Sequence, residues 1–440
     1  MHLFSGKVLK LVVQGFNGVS MYVKREWDRL GKVMIHRPGI EMFYGLLHPK
    51  SFLYERAFSM DEALYEHEVL EHALEREGVM VYRVKKVITQ QIKSSPEFRS
   101  KVVKIVRELV EFRGDVNDDP VEFINNLSIY DPEFLFNVLV LRPTLILKRR
   151  RRSRSYKVYV VNRMPLANMY FMRDQQITVP NGIIQGRMAL PQRRPETSVT
   201  ELAFEALSMP IIYRVATPGI LEGGDYMPLG DFAIIGYGHR TNRGGILQVM
   251  GLLGVKEVAV ARLPRHPLVP SGDSMLDMHL DTFFNVMGDG LAVGNEDLMR
   301  TTPVEVYLND GDKFSPSIRT NLLDYIKSKG FTVIPISFME QLSYASNFLT
   351  IRDRRALIPN VEMNAAKVIE ALRVKAENDA NYVKLFEVAK SEYGKLRVEG
   401  HIFPHKPELM EEGIDFIQID VSELTGGYGG IHCMTSIVSR

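Results

Sequence analysis

The chain has 440 residues, of which 45% are hydrophobic and 25% charged, and its formal net charge is +2. These values argue against a disordered chain and against a general attraction to nucleic acid or anionic membrane, and no apolar run approaches the roughly 20 residues of a membrane helix. A single cysteine excludes an intramolecular disulfide and a Cys-rich zinc site, which leaves a buried apolar thiol or a reactive one.

Length alone allows one large domain or two to three ordinary ones. The opening Met1-His2-Leu3-Phe4-Ser5-Gly6-Lys7 lacks the apolar core of a signal peptide, so a cytoplasmic location is expected.

The first clear element follows Ser59-Met60-Asp61-Glu62, which has the form of a capping box. Met60, Ala63, Leu64, His67, Leu70 and Leu74 keep helical spacing until Gly78, and a strand over 79–84 follows at once. From about Ser94 to Leu147 the sequence reads as helical: Ser95-Pro96 and Asp131-Pro132 are sound helix starts, and Val102, Val103, Ile105, Val106, Leu109 and Val110 are apolar. This segment is expected to be an inserted helical subdomain over 94–147, with 1–93 and 148–440 forming the main body. It ends in the basic run Lys148-Arg149-Arg150-Arg151-Arg152-Ser153-Arg154, which reads as a solvated loop or as a phosphate grip.

The helix, turn, strand unit then recurs. Residues 201–207 read as a helix, Ser208-Met209-Pro210 as its break and 211–215 as a strand. Leu252-Leu253-Gly254 precedes a strand over 255–260, Lys329-Gly330 one over 331–336, and Glu412-Gly413 one over 414–419. Between them, 226–238, 283–293 and 348–358 alternate with period two like hairpins. Strand-rich units carrying one helix each suggest either a closed α/β ring or an ordinary mixed α/β domain.

Four polar clusters could carry chemistry: Asn168-Met169-Tyr170-Phe171-Met172-Arg173-Asp174, Glu222-Gly223-Gly224-Asp225, His279-Leu280-Asp281, and Gly426-Gly427-Tyr428-Gly429-Gly430-Ile431-His432-Cys433. Alternation would put His279 and Asp281 on the same side of a strand. Taken singly, each has an ordinary reading as an ion pair, a turn or a structural pair. His279 and Asp281 could also supply two metal ligands, but no third ligand of convincing spacing accompanies them, so no metal is expected.

Together these clusters resemble one family, the arginine deiminases, within the guanidino-modifying enzymes that share the pentein fold. The resemblance runs from Gly31-Lys32-Val33-Met34-Ile35-His36-Arg37-Pro38-Gly39 through Phe171-Met172-Arg173-Asp174, Arg193-Arg194-Pro195-Glu196-Thr197, Glu222-Gly223-Gly224-Asp225 and Met278-His279-Leu280-Asp281-Thr282 to His432-Cys433-Met434-Thr435. It implies a five-bladed α/β propeller of repeated ββαβ units with pseudo-fivefold symmetry, plus the inserted helices.

It also implies roles. Cys433 would be the nucleophile, His279 the general acid and base, Glu222 the residue orienting His279, and Asp174 and Asp281 the carboxylates gripping a guanidinium. Asn168, Phe171, Arg193, Arg240 and Gly427 would line the substrate pocket, with Arg193 and Arg240 on the substrate's α-carboxylate. The implied reaction is hydrolysis of L-arginine to L-citrulline and ammonia through an amidino-cysteine. It needs no metal or organic cofactor. The expected partner is a small guanidino substrate rather than nucleic acid or membrane, and a homo-oligomer is expected.

The chain departs from the family's Gly-Arg-Gly-Gly-Pro-Arg-Cys loop, because Tyr428 stands at the first arginine and Ile431-His432-Cys433 is closer to agmatine deiminases and amidinotransferases. Agmatine deimination, amidino transfer and a non-catalytic RNA- or ribosome-binding propeller therefore remain as alternatives.

Overall fold

The computed structural model describes residues 23–115, 119–149, 156–311 and 313–440. The N-terminal heptapeptide and positions 150–154 of the basic run lie outside the described residues. Lys148 and Arg149 are exposed at the end of the strand Pro143–Arg149.

Where a glycine follows a helix in the sequence, the backbone turns left-handed: φ is 77° at Gly78, 72° at Gly254, 86° at Gly330 and 68° at Gly413. A residue without Cβ takes this conformation freely, and the chain passes directly from helix to strand. In the copy that lacks a glycine, Ser208 makes the same turn at φ 55°. At the start of the first unit, the Ser59 hydroxyl accepts the Glu62 N–H at 3.3 Å and caps the helix Met60–Arg76. That helix buries Leu70 and Leu74, each contributing roughly 1.5–3 kcal/mol against leaving it in water.

Five sheets share one plan, in which a middle strand has an antiparallel neighbour on one side and a parallel neighbour, reached through a helical crossover, on the other. Lys32–Ile35 lies between Ser436–Ser439 and Met80–Arg83. Gly182–Gln185 lies between Gln176–Val179 and Ile211–Arg214. Phe232–Tyr237 lies between Tyr226–Pro228 and Glu257–Arg262, and the hairpin Pro303–Asn309 with Phe314–Asn321 extends that sheet. Leu291–Gly294 lies between Phe284–Gly288 and Thr332–Pro335. Arg355–Pro359 lies between Leu349–Arg352 and Asp415–Ile419. The last strand of the chain thus completes the first sheet.

The segment read as purely helical differs from that reading. It contains the helices Pro96–Leu109, Asp119–Asn126 and Pro132–Leu141, but also the parallel pair Glu111–Gly114 and Pro143–Arg149, the second of which pairs antiparallel with Tyr156–Asn162 to form a sixth sheet. The basic run interrupts the alternation there, and it is the partner strand 156–162 that completes the pairing. Among the described residues, no helix is long and apolar enough to cross a membrane.

Candidate active site

In each of the five sheets, the antiparallel outer strand is entered from a buried turn, and these turns supply the polar groups. Asp174 precedes Gln176–Val179, Glu222 precedes Tyr226–Pro228, and His279 and Asp281 precede Phe284–Gly288. Asn347 precedes Leu349–Arg352, and Cys433 precedes Ser436–Ser439. All six side chains are buried. Equivalent corners of similar units therefore converge on one place.

Two constellations result. In the first, His279 Nε2 lies 2.9 Å from Glu222 Oε2, and its Nδ1 lies 3.6 Å from Asp174 Oδ1. The second Glu222 oxygen accepts the Ala189 N–H at 2.9 Å, and Asp174 Oδ1 accepts the Gly224 N–H at 3.3 Å. A Cβ on Gly224 would stand 2.8 Å from the His279 ring, so the paired glycines are what let this backbone approach.

In the second constellation, Cys433 Sγ lies 3.5 Å from Asp281 Oδ2 and accepts the Asn347 side-chain N–H at 3.1 Å. Asn347 Oδ1 accepts the backbone N–H of Gly430 at 2.9 Å and of Cys433 at 3.1 Å, which ties the Cys433 loop to its neighbouring turn. His432 Nδ1 is 2.7 Å from Asp281 Oδ2. Sequence reasoning missed Asn347. The signal that could have found it is positional, since it occupies the corner that carries chemistry in the other four units.

One expectation needs correction. His279 and Asp281 do not share the side of a strand, because Leu280–Thr282 is a short helical turn and the strand begins at Phe284. Asp225 Oδ1 accepts the Leu280 N–H at 3.1 Å and the Thr282 hydroxyl donates to the His279 carbonyl at 2.6 Å, which curls the segment. His279 consequently joins Glu222 and Asp174, while Asp281 joins Cys433.

Between the constellations lies a narrow pocket lined by residues that include Asn168, Phe171, Asp174, Arg193, Arg240, His279, Gly427 and Cys433. Glu222 and Asp281 stand outside this lining, against His279 and Cys433 respectively. Leu53, Met275 and Tyr428 line both this pocket and a wider cleft beyond it. Gly427 cannot be enlarged in place, as a Cβ would fall 2.0 Å from the Tyr170 hydroxyl. Asn168 donates to the Phe52 carbonyl at 2.8 Å. Tyr428 adopts φ 68° and receives the Lys375 ammonium on its hydroxyl at 2.9 Å.

The two arginines differ. Arg193 is committed to the protein, donating to Asp174 Oδ2 at 2.5 Å, to both Glu196 oxygens and to the Phe171 carbonyl. Arg240 Nη1 forms an ion pair with Glu222 Oε2 at 3.8 Å but is buried without a hydrogen-bond partner among the described residues, so it can still donate a hydrogen bond to an anionic group on a ligand.

Charge states follow from the packing. Burial alone would lower the His279 pKa, but Asp174, the bond to Glu222 and Asp225 outweigh it and lift the group to about 9. Burial, followed by the charges of Asp281 and Asp174, pushes the Cys433 thiol well above its ordinary value. Burial would raise Asp174, yet His279 and Arg193 hold it below the usual carboxylate range. At neutral pH the site holds an imidazolium, the ionised carboxylates of Asp174 and Glu222, and a protonated thiol.

Asp174, Glu222 and His279 each offer a ligand atom, all within 4.8 Å of one another, and could in principle hold a metal ion. The same carboxylates already face the guanidinium groups of Arg193 and Arg240, which oppose a dication. An acid-lined pocket ending at a thiol suits a planar organic cation better, because carboxylates can grip its N–H fork while sulfur meets its carbon.

Fold and site together define a class, the cysteine enzymes that act on the C–N bonds of guanidino compounds. The substrate-bound N-terminal domain of ArgZ, a cyanobacterial arginine dihydrolase, has the same fold, with a TM-score of 0.51 and 12% identity over 93% of this chain and 98% of that one. A family model described as arginine deiminase matches residues 50–440, and the chain belongs to that family. It is 26% identical to the arginine deiminase of Halobacterium salinarum, across 94% of this chain and 96% of that protein. With the arginine deiminase of Limosilactobacillus reuteri the identity is 27%, covering 96% and 98%.

Proposed function

We propose that this protein hydrolyses L-arginine to L-citrulline and ammonia through a covalent amidino-cysteine. The observation that carries this reading is the opposition, across one small pocket, of the Cys433 thiol and the imidazolium of His279 among buried carboxylates. A guanidinium is permanently cationic and resonance-stabilised, so its carbon reacts only when fixed beside a strong nucleophile.

The resting site keeps Cys433 protonated, because two carboxylates face it. Binding of the cationic guanidinium reverses that local field, and the thiol gives its proton to solvent and ionises next to the carbon it attacks. The tetrahedral adduct collapses as His279 gives a proton to the departing nitrogen, releasing ammonia. The neutral imidazole then takes a proton from water as the water attacks the amidino thioether, and collapse releases the ureido product and the thiolate. Asp174 and Asp281 grip the guanidinium, and Glu222 fixes the His279 ring. Arg240, whose Nη1 makes no hydrogen bond among the described residues, receives the substrate carboxylate, while Arg193 holds Asp174 in place.

The same reading extends to architecture: five ββαβ units close into a five-bladed propeller of pseudo-fivefold symmetry, with 94–147 inserted between the first and second. Pairing of the first strand with the last supports closure. A cytoplasmic location and a homo-oligomeric state belong to this proposal.

Incubating the purified protein with L-arginine, agmatine and other guanidino compounds, with ammonia and ureido product both measured, tests the function. Ammonia and citrulline from arginine alone are expected. Turnover that requires an added amine would assign amidino transfer instead.

A further inference from the structure

His432 is 1% exposed and fixed through its backbone, its N–H donating to the Asn347 carbonyl at 3.0 Å and its carbonyl accepting Arg173 Nε at 3.2 Å. Nδ1 meets Asp281 Oδ2 at 2.7 Å, the oxygen that also lies 3.5 Å from Cys433 Sγ. Behind the ring, Nε2 lies 3.8 Å from Glu26 Oε1. Glu26 is itself pinned by Arg440 Nη2 at 2.7 Å and Arg173 Nη1 at 3.4 Å. A row of buried groups therefore runs from Glu26 through His432 to Asp281 and the nucleophile.

The other Asp281 oxygen, Oδ1, is buried with no hydrogen-bond partner among the described residues. A buried carboxylate oxygen left unpaired is costly, so such an atom calls for a partner that arrives later. An N–H of a bound cation supplies one.

We infer that His432 is a positioning residue, which grips Asp281 by one oxygen so that this oxygen stays beside the Cys433 thiol and the other remains open to the substrate cation. The inference rests on the function proposed above. Glu26 faces the ring from behind at 3.8 Å, a charge contact without a hydrogen bond. A side chain of equal bulk without a donor would leave Asp281 free to rotate, and both the grip on the cation and the local field at sulfur would be lost together.

A double-mutant cycle tests this, because a residue acting only through Asp281 has no effect once Asp281 is disabled. His432→Leu, Asp281→Asn and the double variant are compared for arginine turnover and, without substrate, for the rate of Cys433 alkylation by iodoacetamide. His432→Leu should lower kcat by about thirtyfold or more, and His432→Asn, whose amide N–H replaces the Nδ1 donor, should recover about tenfold of it. The double variant should stay within about threefold of Asp281→Asn in both measurements. Losses that multiply, or a His432→Leu variant within threefold of the unchanged protein, would overturn the inference. Should His432→Leu not fold, as judged by thermal melting, His432→Gln and Glu26→Gln complete the same cycle. Alkylation needs no substrate, so failure of the arginine reading, seen as no turnover by the unchanged protein, is distinguishable from failure of the positioning role.

Discussion

The His279 imidazole lies 2.9 Å from the Glu222 carboxylate, buried and away from water. The charge of Asp174, 3.6 Å from the same ring, and this pairing together decide the charge of His279. In the unfolded chain an imidazole titrates near 6.5, and in the folded chain this one is lifted to about 9. The folded protein thus holds the proton more tightly, so the associated stabilisation is complete below about pH 6.5 and is lost as pH rises through about 9. Activity should fall over the same alkaline limb, as the proton needed by departing ammonia is lost. Glu222→Gln should move that limb of the kcat profile to lower pH and reduce kcat by about 10²-fold or more. An unmoved limb would separate Glu222 from the titration of His279.

The protonated resting thiol makes a second prediction. Without substrate, alkylation of Cys433 by iodoacetamide should keep rising with pH and show no plateau below pH 9, since burial, Asp281 and Asp174 all oppose the thiolate. A rate already constant from pH 7 would show a preformed thiolate and remove the role given to the bound cation.

Arg240 carries the prediction for substrate choice. Its Nη1, 3.8 Å from Glu222 and without a hydrogen bond among the described residues, is a donor left for a carboxylate. Arg240→Ala should raise KM for arginine by about tenfold to a hundredfold, the value of a hydrogen bond to a charged group, and change that for agmatine by less than about threefold. Equal effects on both substrates would place the carboxylate elsewhere.

Asn347 supports the nucleophile with three hydrogen bonds, one to sulfur and two to backbone N–H groups of its loop. Asn347→Ala strands those buried donors and should lower kcat by about thirtyfold, with a fall in melting temperature reflecting a loss of about 1–3 kcal/mol. Unchanged kinetics and stability would contradict a structural hold on the loop.

Much of this was legible in the residues. Gly78, Gly254, Gly330 and Gly413 announced the turns between helix and strand, because few other residues reach their backbone conformation without strain. The acidic clusters and the lone thiol announced the site through residue types that are rarely buried without a task. The rest was hidden for definite reasons. Asn347 is one polar residue between Ser346 and Phe348, and its importance lies in the corner it shares with distant units. The turn at Leu280–Thr282 is imposed by Asp225, which a local pattern cannot reveal. The Nη1 of Arg240, without a hydrogen bond among the described residues, and the committed state of Arg193 are matters of who stands next to whom in space. Pairing of Pro143–Arg149 with Tyr156–Asn162 spans the basic run, which reads locally as loop.

The central claim is the covalent intermediate, and the most direct measurement is mass spectrometry of the protein quenched in acid during turnover of L-arginine. The account predicts a mass increase equal to arginine less ammonia, confined to the peptide that carries Cys433 and absent from Cys433→Ser. Continued release of citrulline by Cys433→Ser, or turnover with no adduct on that peptide under rapid quenching, would contradict it.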